Sequence, residues 1–330
     1  MVKQANGKRL AVGLVVASAA AGLALTPVRA GAVANVCVAR VSSSPGNLRW
    51  QLRQASGLTS LASSPNVLFT HNDRGIRDGP GPGEDTENAA VWAIGLNGQA
   101  LARFRLTSGG VPIPYFDTEA ISRDPQGRLV LADTGTNVDD RVTVALYRFT
   151  PPAVTAGQAY VVQDVPAEVI PLAYYANATT STRTKLNVEA MAIDPAGNAW
   201  LVPRTSGNPY SYMATAAALT QASGGTTPAR AVRSTRLAVA GPMTDAAFSP
   251  DGTVLLVKSI STVYAYDLRT TAVPTALGRT PCAVATANRA KAPGYGEAIV
   301  ARDDGSFVTV AEGSKTQTSG LSSALWSFSV

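Results

Sequence analysis

The chain is poor in the residues that most often perform chemistry. It has one histidine, His71, and two cysteines, Cys37 and Cys282, in 330 residues. There is accordingly no H-E-x-x-H pattern, and two cysteines so far apart do not imply zinc. Charged residues make up only 15% of the chain and form no basic run, which leaves no electrostatic footprint for nucleic acid or an anionic membrane. A G-x-S-x-G elbow, a dinucleotide fingerprint and a phosphate loop are all missing. Beyond about residue 25 no apolar stretch is long enough to span a bilayer.

The one long apolar run, Leu10 to about Leu25, follows Lys3, Lys8 and Arg9 and is followed by Pro27 and the small residues around Ala30 to Ala34. That order describes a secretory signal peptide, residues 1–30, with cleavage after Ala30 or Ala34. A secreted mature chain is expected, with residues 35–330 as a single domain. Loss of Lys3, Lys8, Arg9 and Arg29 lowers the formal net charge from +6 to +2. An oxidising destination favours a Cys37–Cys282 disulfide, which would close a very long loop and contribute roughly 4 to 5 kcal/mol in the chain-entropy account.

What the chain does have is a repeat. Residues 117–135 read DTEAISRDPQGRLVLADTG, and NVEAMAIDPAGNAWLVPRT, MTDAAFSPDGTVLLVKSIS and YGEAIVARDDGSFVTVAEG restate them, as ASGLTSLASSPNVLFTHND does more loosely. Each copy is a short apolar strand, a turn opened by Pro or Asp and closed by Gly, and a returning strand. Counting eight positions back from Gly127, Gly197, Gly252 and Gly305 gives Glu119, Glu189, Thr244 and Glu297, and the same register in the first copy gives Ser56. Successive gaps are 63, 70, 55 and 53 residues. All-strand units of this length predict an all-β chain, a β-propeller of four-stranded blades, rather than a sandwich or a β-helix. Five blades are favoured. Six stay open if a degenerate blade lies in the 70-residue gap, although an insertion over residues 151–185 also accounts for it. Only three strands follow Glu297, so the fourth is expected from the N-terminal segment NVCVARV, closing the ring in the last blade.

First strands line a propeller's channel at one height, so Ser56, Glu119, Glu189, Thr244 and Glu297 should ring one mouth. Three carboxylates facing one cavity repel unless a cation, a proton or basic side chains compensate them. Arg204 and Lys258 are candidate counter-charges; Ca²⁺ or another divalent cation on Glu119, Glu189 and Glu297 is the alternative. The second strands end in differing polar groups, namely His71, Asn72 and Asp73, Asp133, Arg204, Lys258 and Glu312, and such variation at equivalent positions suits an assembled ligand site. His71 beside Asp73, or Glu297, is the candidate for moving a proton. The glycine- and proline-rich stretch 77–88, the acids Asp139 and Asp140 and a glycosylation-type triplet at Asn177 are weaker signals.

With these motifs in view, the chain resembles secreted bacterial β-propeller proteins. More distantly it is similar to gluconolactonase, strictosidine synthase-type and esterase-like phytase propellers. That resemblance implies a cation on the channel axis held by acidic and amide groups, here Glu119, Glu189 and Glu297 with Asn72 or Asp133 nearby. Ser56 and Thr244 depart from it. Two functions stand open: a binding propeller for a small ligand or protein partner, and a metal-assisted hydrolase of an ester, lactone or phosphoester. A monomer is expected, with no nucleic acid partner and no membrane insertion after cleavage.

Overall fold

The repeat's local chemistry dictates its turns. Gly127, Gly197, Gly252 and Gly305 all have positive φ, from 71° to 85°, which only glycine adopts without strain. Asp124 Oδ1 accepts the amides of Gln126 and Arg128, and Asp194 Oδ1 accepts those of Ala196 and Asn198, so each aspartate braces the bend it opens.

The computed structural model describes residues 40–41, 48, 52, 54–64, 66–73, 88–114, 116–136, 141–285, 296–311 and 325–329. A short strand, β1 (Arg40–Val41), comes first. The first unit holds β2 (Ala55–Ser60), β3 (Val67–Asn72), β4 (Ala90–Gly95) and β5 (Ala100–Ser108), with β6 (Val111–Pro112) folded back on β5. The second starts with β7 (Thr118–Arg123), β8 (Leu129–Asp133) and β9 (Val144–Phe149). Next come β10 (Val161–Pro166), β11 (Glu168–Tyr175) and β12 (Arg183–Thr184). The third contains β13 (Val188–Ile193), β14 (Ala199–Pro203), β15 (Tyr210–Ala214), helix α1 (Ala216–Ala222) and β16 (Ala229–Arg236). The fourth contains β17 (Met243–Phe248), β18 (Val254–Ser259), β19 (Thr262–Asp267), helix α2 (Val273–Leu277) and β20 (Cys282–Ala285). The fifth contains β21 (Gly296–Ala301), β22 (Phe307–Ala311) and β23 (Leu325–Ser329).

Among the described residues these strands make five four-stranded antiparallel blades, and the fifth is completed by β1, which pairs with β23 through Arg40↔Ser329 and Val41↔Phe328. The inner strands close a circle, β2 against β7, β7 against β13, β13 against β17, β17 against β21 and β21 against β2. The fold is thus an all-β propeller with its ring shut by the N-terminal strand. All described residues belong to the compact unit Gly31–Val330, and none of the described helices is long and apolar enough to cross a membrane. Residues 1–39, which hold Cys37 and the segment expected to be a leader, lie outside the described residues, as do 74–87, 137–140 and Glu312.

Five apolar clusters fill the ring, one between each pair of neighbouring blades. In β8, Leu129 and Leu131 face the first blade while Val130 and Ala132 face the third, all at most 2% exposed. A blade strand is buried on both faces, which is why RLVLAD reads as an unbroken apolar run.

The long gap holds no sixth blade. Residues 161–166 form β10, which adds to the outer edge of the first blade in parallel with β5, and the chain then returns as β11, the fourth strand of the second blade. β11 also pairs in parallel with β16 of the third blade, so the outer edges of these blades are covered by neighbours.

Candidate functional site

Every inner strand is interrupted where the repeat sets its anchor residue. The pairing register shifts between Ala55 and Leu58, Thr118 and Ala120, Val188 and Ala190, Met243 and Asp245, and Gly296 and Ala298. The residues skipped are Ser56 with Gly57, Glu119, Glu189, Thr244 and Glu297. A bulge of this kind frees a residue from the ladder and re-aims its side chain. All five anchors are buried, from 0 to 6% exposed.

The five positions divide by chemistry. Ser56 Oγ donates to the Glu119 carbonyl at 3.2 Å and Thr244 Oγ1 to the Gly296 carbonyl at 3.3 Å, so the two hydroxyls stitch neighbouring blades together. The carboxylates gather. Burial first, then the charges of Asp73, Glu189, Asp117 and Glu297, hold the Glu119 carboxyl well above the ordinary carboxylate range. Asp73, Asp117 and Glu119 each present an oxygen, and these three atoms lie within 4.8 Å of one another.

Glycine makes room for this cluster. A Cβ on Gly135 would lie 2.4 Å from both Asp117 Oδ2 and Glu119 Oε1, so those oxygens rest on the bare Cα. Beside the cluster, Arg204 Nη1 donates to Glu189 Oε2, and Asn187 Nδ2 donates to Glu189 Oε1 at 3.0 Å. Burial nonetheless raises the Glu189 carboxyl above its ordinary value, with Arg204 and Asn187 opposing. Arg204 also feels Glu297 and Glu119, and its side chain is 35% exposed.

The other cation is enclosed. Lys258 is 1% exposed, donates to the Ser259 carbonyl at 2.8 Å and sits over Gly296, where a Cβ would come within 2.5 Å of Nζ. Burial lowers its pKa to about 8, opposed by Glu297 and Asp245.

The remaining positions read from the sequence have structural partners. Asp133 accepts the amides of Phe116 and Asp117 at 3.1 and 3.0 Å, Arg141 Nη2 at 2.8 Å and the Tyr147 hydroxyl at 2.9 Å, so both oxygens are engaged. It holds the strand entry that carries Asp117. The Asn72 carbonyl accepts the Thr118 hydroxyl at 2.7 Å. His71 is 0% exposed, its Nδ1 lies 3.0 Å from the Asn72 carbonyl, and its Nε2 packs on the Cα of Gly57 with no hydrogen-bond partner. Burial lowers its pKa to about 4, against the Asn72 carbonyl and Asp133, so the ring is neutral near pH 7.

Sequence reasoning missed Asp117, Gly135 and Asp245. Asp117 stands two residues before Glu119, and alternate residues of a strand share a face, so DTE carried that signal. Asp245 is 0% exposed; its Oδ1 accepts the Ala246 amide and its Oδ2 the Ile299 amide, both at 2.8 Å. The Leu58 amide bonds to it as well, which joins the fourth, fifth and first blades. Burial raises its carboxyl far above the usual range despite these bonds.

No protein-family model and no curated protein matches the sequence. Among solved structures the chain is similar to the PQQ-bound aldose sugar dehydrogenase of Streptomyces coelicolor, at 12% identity and a TM-score of 0.43, covering 88% of this chain and 97% of that one. It is also similar to hydrazine synthase of Kuenenia stuttgartiensis, at 14% identity and a TM-score of 0.36, covering 82% of this chain and 57% of that one. Neither is a lactonase or a phytase, so they lend no support to that finer resemblance, and at these scores they bear on no chemistry.

Proposed function

We propose that the protein is an exported binding propeller whose acidic ring end takes a hard divalent cation, Ca²⁺ foremost. The cation and Arg204 together would hold a small polar ligand or the polar group of a partner. One observation carries the reading: the Asp73, Asp117 and Glu119 oxygens lie within 4.8 Å of one another. Oxygens on opposite sides of a bound Ca²⁺ stand about 5 Å apart, so this spacing fits three ligands on one ion. Glu189 and Glu297 add charge behind them, and Glu119 gains from any cation that relieves its neighbours.

Secretion after cleavage of residues 1–30, a monomeric state and a Cys37–Cys282 disulfide complete the proposal. The disulfide is supported by the export signal and by the lack of a free thiol among the described cysteines. Nucleic acid and membrane insertion have no part in it. Hydrolysis is the less favoured use of the same site, because His71 Nε2 is enclosed against Gly57 and away from solvent.

The test is calorimetric titration of the mature, metal-stripped protein with Ca²⁺. One site is expected in the wild type, weakened at least tenfold by Glu119→Gln. Heats that are null for the wild type, or equal for both proteins, overturn the reading.

A further inference from the structure

The third blade carries a second charged feature, of opposite sign. Residues 195–244 contain four arginines and no Asp or Glu. Arg204 is paired with Glu189, and Arg230 lies over the Tyr175 ring and donates to the carbonyls of Ala178 and Thr180. The other two, Arg233 and Arg236, are exposed on β16. A regular strand would turn them to opposite faces, because they stand three residues apart. β16 is not regular there. Tyr212 pairs with Arg233 but Tyr210 with Arg236, so two steps along β15 oppose three along β16. Buried Ser211 braces the extra residue: its hydroxyl donates to the Thr235 carbonyl at 3.1 Å and accepts the Thr235 amide at 3.2 Å. Tyr210 and Tyr212 share a face, so the bulge brings both arginines to the tyrosine side, and Arg230 stays on the other.

The two guanidinium carbons lie 4.8 and 6.0 Å from the centre of the Tyr210 ring, and Tyr210 is itself 39% exposed. Arg236 Nε donates to the Asn208 carbonyl at 3.4 Å, a bond that steadies the group without cancelling its charge. Among the described residues neither arginine has a carboxylate within ion-pair distance, whereas Arg105, Arg148 and Arg269 each have one. The pair also has a definite place in the fold. β14 runs toward the ring end that holds Glu189, β15 begins there with Tyr210, and β16 ends there with Arg236. Neighbouring strands stand about 4.8 Å apart, so the pair lies at the rim, roughly 14 Å outward from the strand of Glu189.

We infer that Arg233, Tyr210 and Arg236 form an anion-binding clamp for a doubly charged oxyanion, at the same end of the propeller as the acidic cluster. Two positive charges held on one ring repel, and a dianion relieves both where a monoanion neutralises only half of the charge. Each planar guanidinium presents a fork of donors that matches the oxygens of a carboxylate or of a tetrahedral oxyanion. The ring holds the two forks by cation–π contact and the Ser211 bulge holds the backbone beneath them, so little ordering remains to be done on binding.

The test is titration of the purified mature protein, free of Ca²⁺ and at constant ionic strength, with sulfate, succinate and acetate, followed by the ring resonances of Tyr210. Saturable binding of a dianion is expected, at least tenfold tighter than that of acetate; the tighter of the first two tells a tetrahedral group from a pair of carboxylates. Affinity should fall at least tenfold in Arg233→Ala/Arg236→Ala and hold in Arg230→Ala, which lies on the other face. Arg233→Lys/Arg236→Lys, which keeps both charges but not the forks, should lose part of it. No saturable binding of either dianion, affinity equal to that of acetate, or affinity unchanged in both double variants would overturn the inference. Because Ca²⁺ is absent throughout, such a result would leave the cation reading standing.

Discussion

Gly135 and Glu119 touch so closely that a single added methyl on the glycine would come within 2.4 Å of Glu119 Oε1. The segment leaving the second strand of the second blade therefore carries glycine, because two carboxylates occupy the space a side chain would fill. Gly135 does not have positive φ, so Gly135→Ala meets no backbone penalty of the left-handed kind, and its whole effect falls on Asp117 and Glu119. The variant should lose Ca²⁺ affinity at least fivefold while its far-ultraviolet circular dichroism stays that of the wild type. A Gly135→Ala protein that binds Ca²⁺ normally would remove this glycine from the account.

The raised Glu119 carboxyl gives a signed pH dependence. A carboxyl whose folded value lies above its ordinary 4.5 keeps its proton in the folded state while the unfolded chain gives it up. Stability is then lost as pH rises from about the ordinary value toward the raised one, and Asp245 and Glu189, raised also, act in the same sense. Metal-free protein should melt at a lower temperature at pH 7 than at pH 5. Ca²⁺ should restore more stability at pH 7, because it binds the deprotonated form. Glu119→Gln should flatten both trends.

Asp245 ties three blades through one carboxyl. Replacing it with alanine strands the buried Ile299 and Ala246 amides, each of which costs about 1 to 3 kcal/mol when left unpaired. Asp245→Ala should lower the urea midpoint sharply, and Asp245→Asn, which keeps one acceptor oxygen but sets an NH2 against the other amide, should recover only part of that loss. A midpoint unchanged in Asp245→Ala would mean that these bonds do not hold the blades.

Ring closure rests on two residues of β1 against β23. A mature chain truncated through Val41 leaves β23 as an open edge and should melt several degrees lower and aggregate more readily than the full mature chain. Unchanged melting would show that the inner strands hold the ring alone.

Much of the fold was legible because a blade is local. Acid, strand, turn and strand lie within about twenty residues, and a repeat of that length fixes the inner circle and the glycine turns through Gly127, Gly197, Gly252 and Gly305. The ring residues were legible for the same reason, since Ser56, Glu119, Glu189, Thr244 and Glu297 share one register. What escaped depends on distant pairing or on sums that average out. The parallel pairings of β10 with β5 and of β11 with β16 have no turn to announce them. Asp245 sits one residue past the ring position, which turns its side chain away from the place the register assigns. The arginines of β16 vanish into a small net charge, although the acid-free stretch that holds them, residues 195–244, is plain in the sequence once charge is read by segment.

The most direct test of the converging carboxylates is the titration of Glu119 itself, followed by carbon-13 nuclear magnetic resonance of its side-chain carboxyl in metal-free protein. A midpoint well above 4.5 is expected, moving down in Glu297→Gln and in Asp117→Asn as each neighbouring charge is removed. A midpoint at the ordinary value, unmoved by either substitution, would contradict the account.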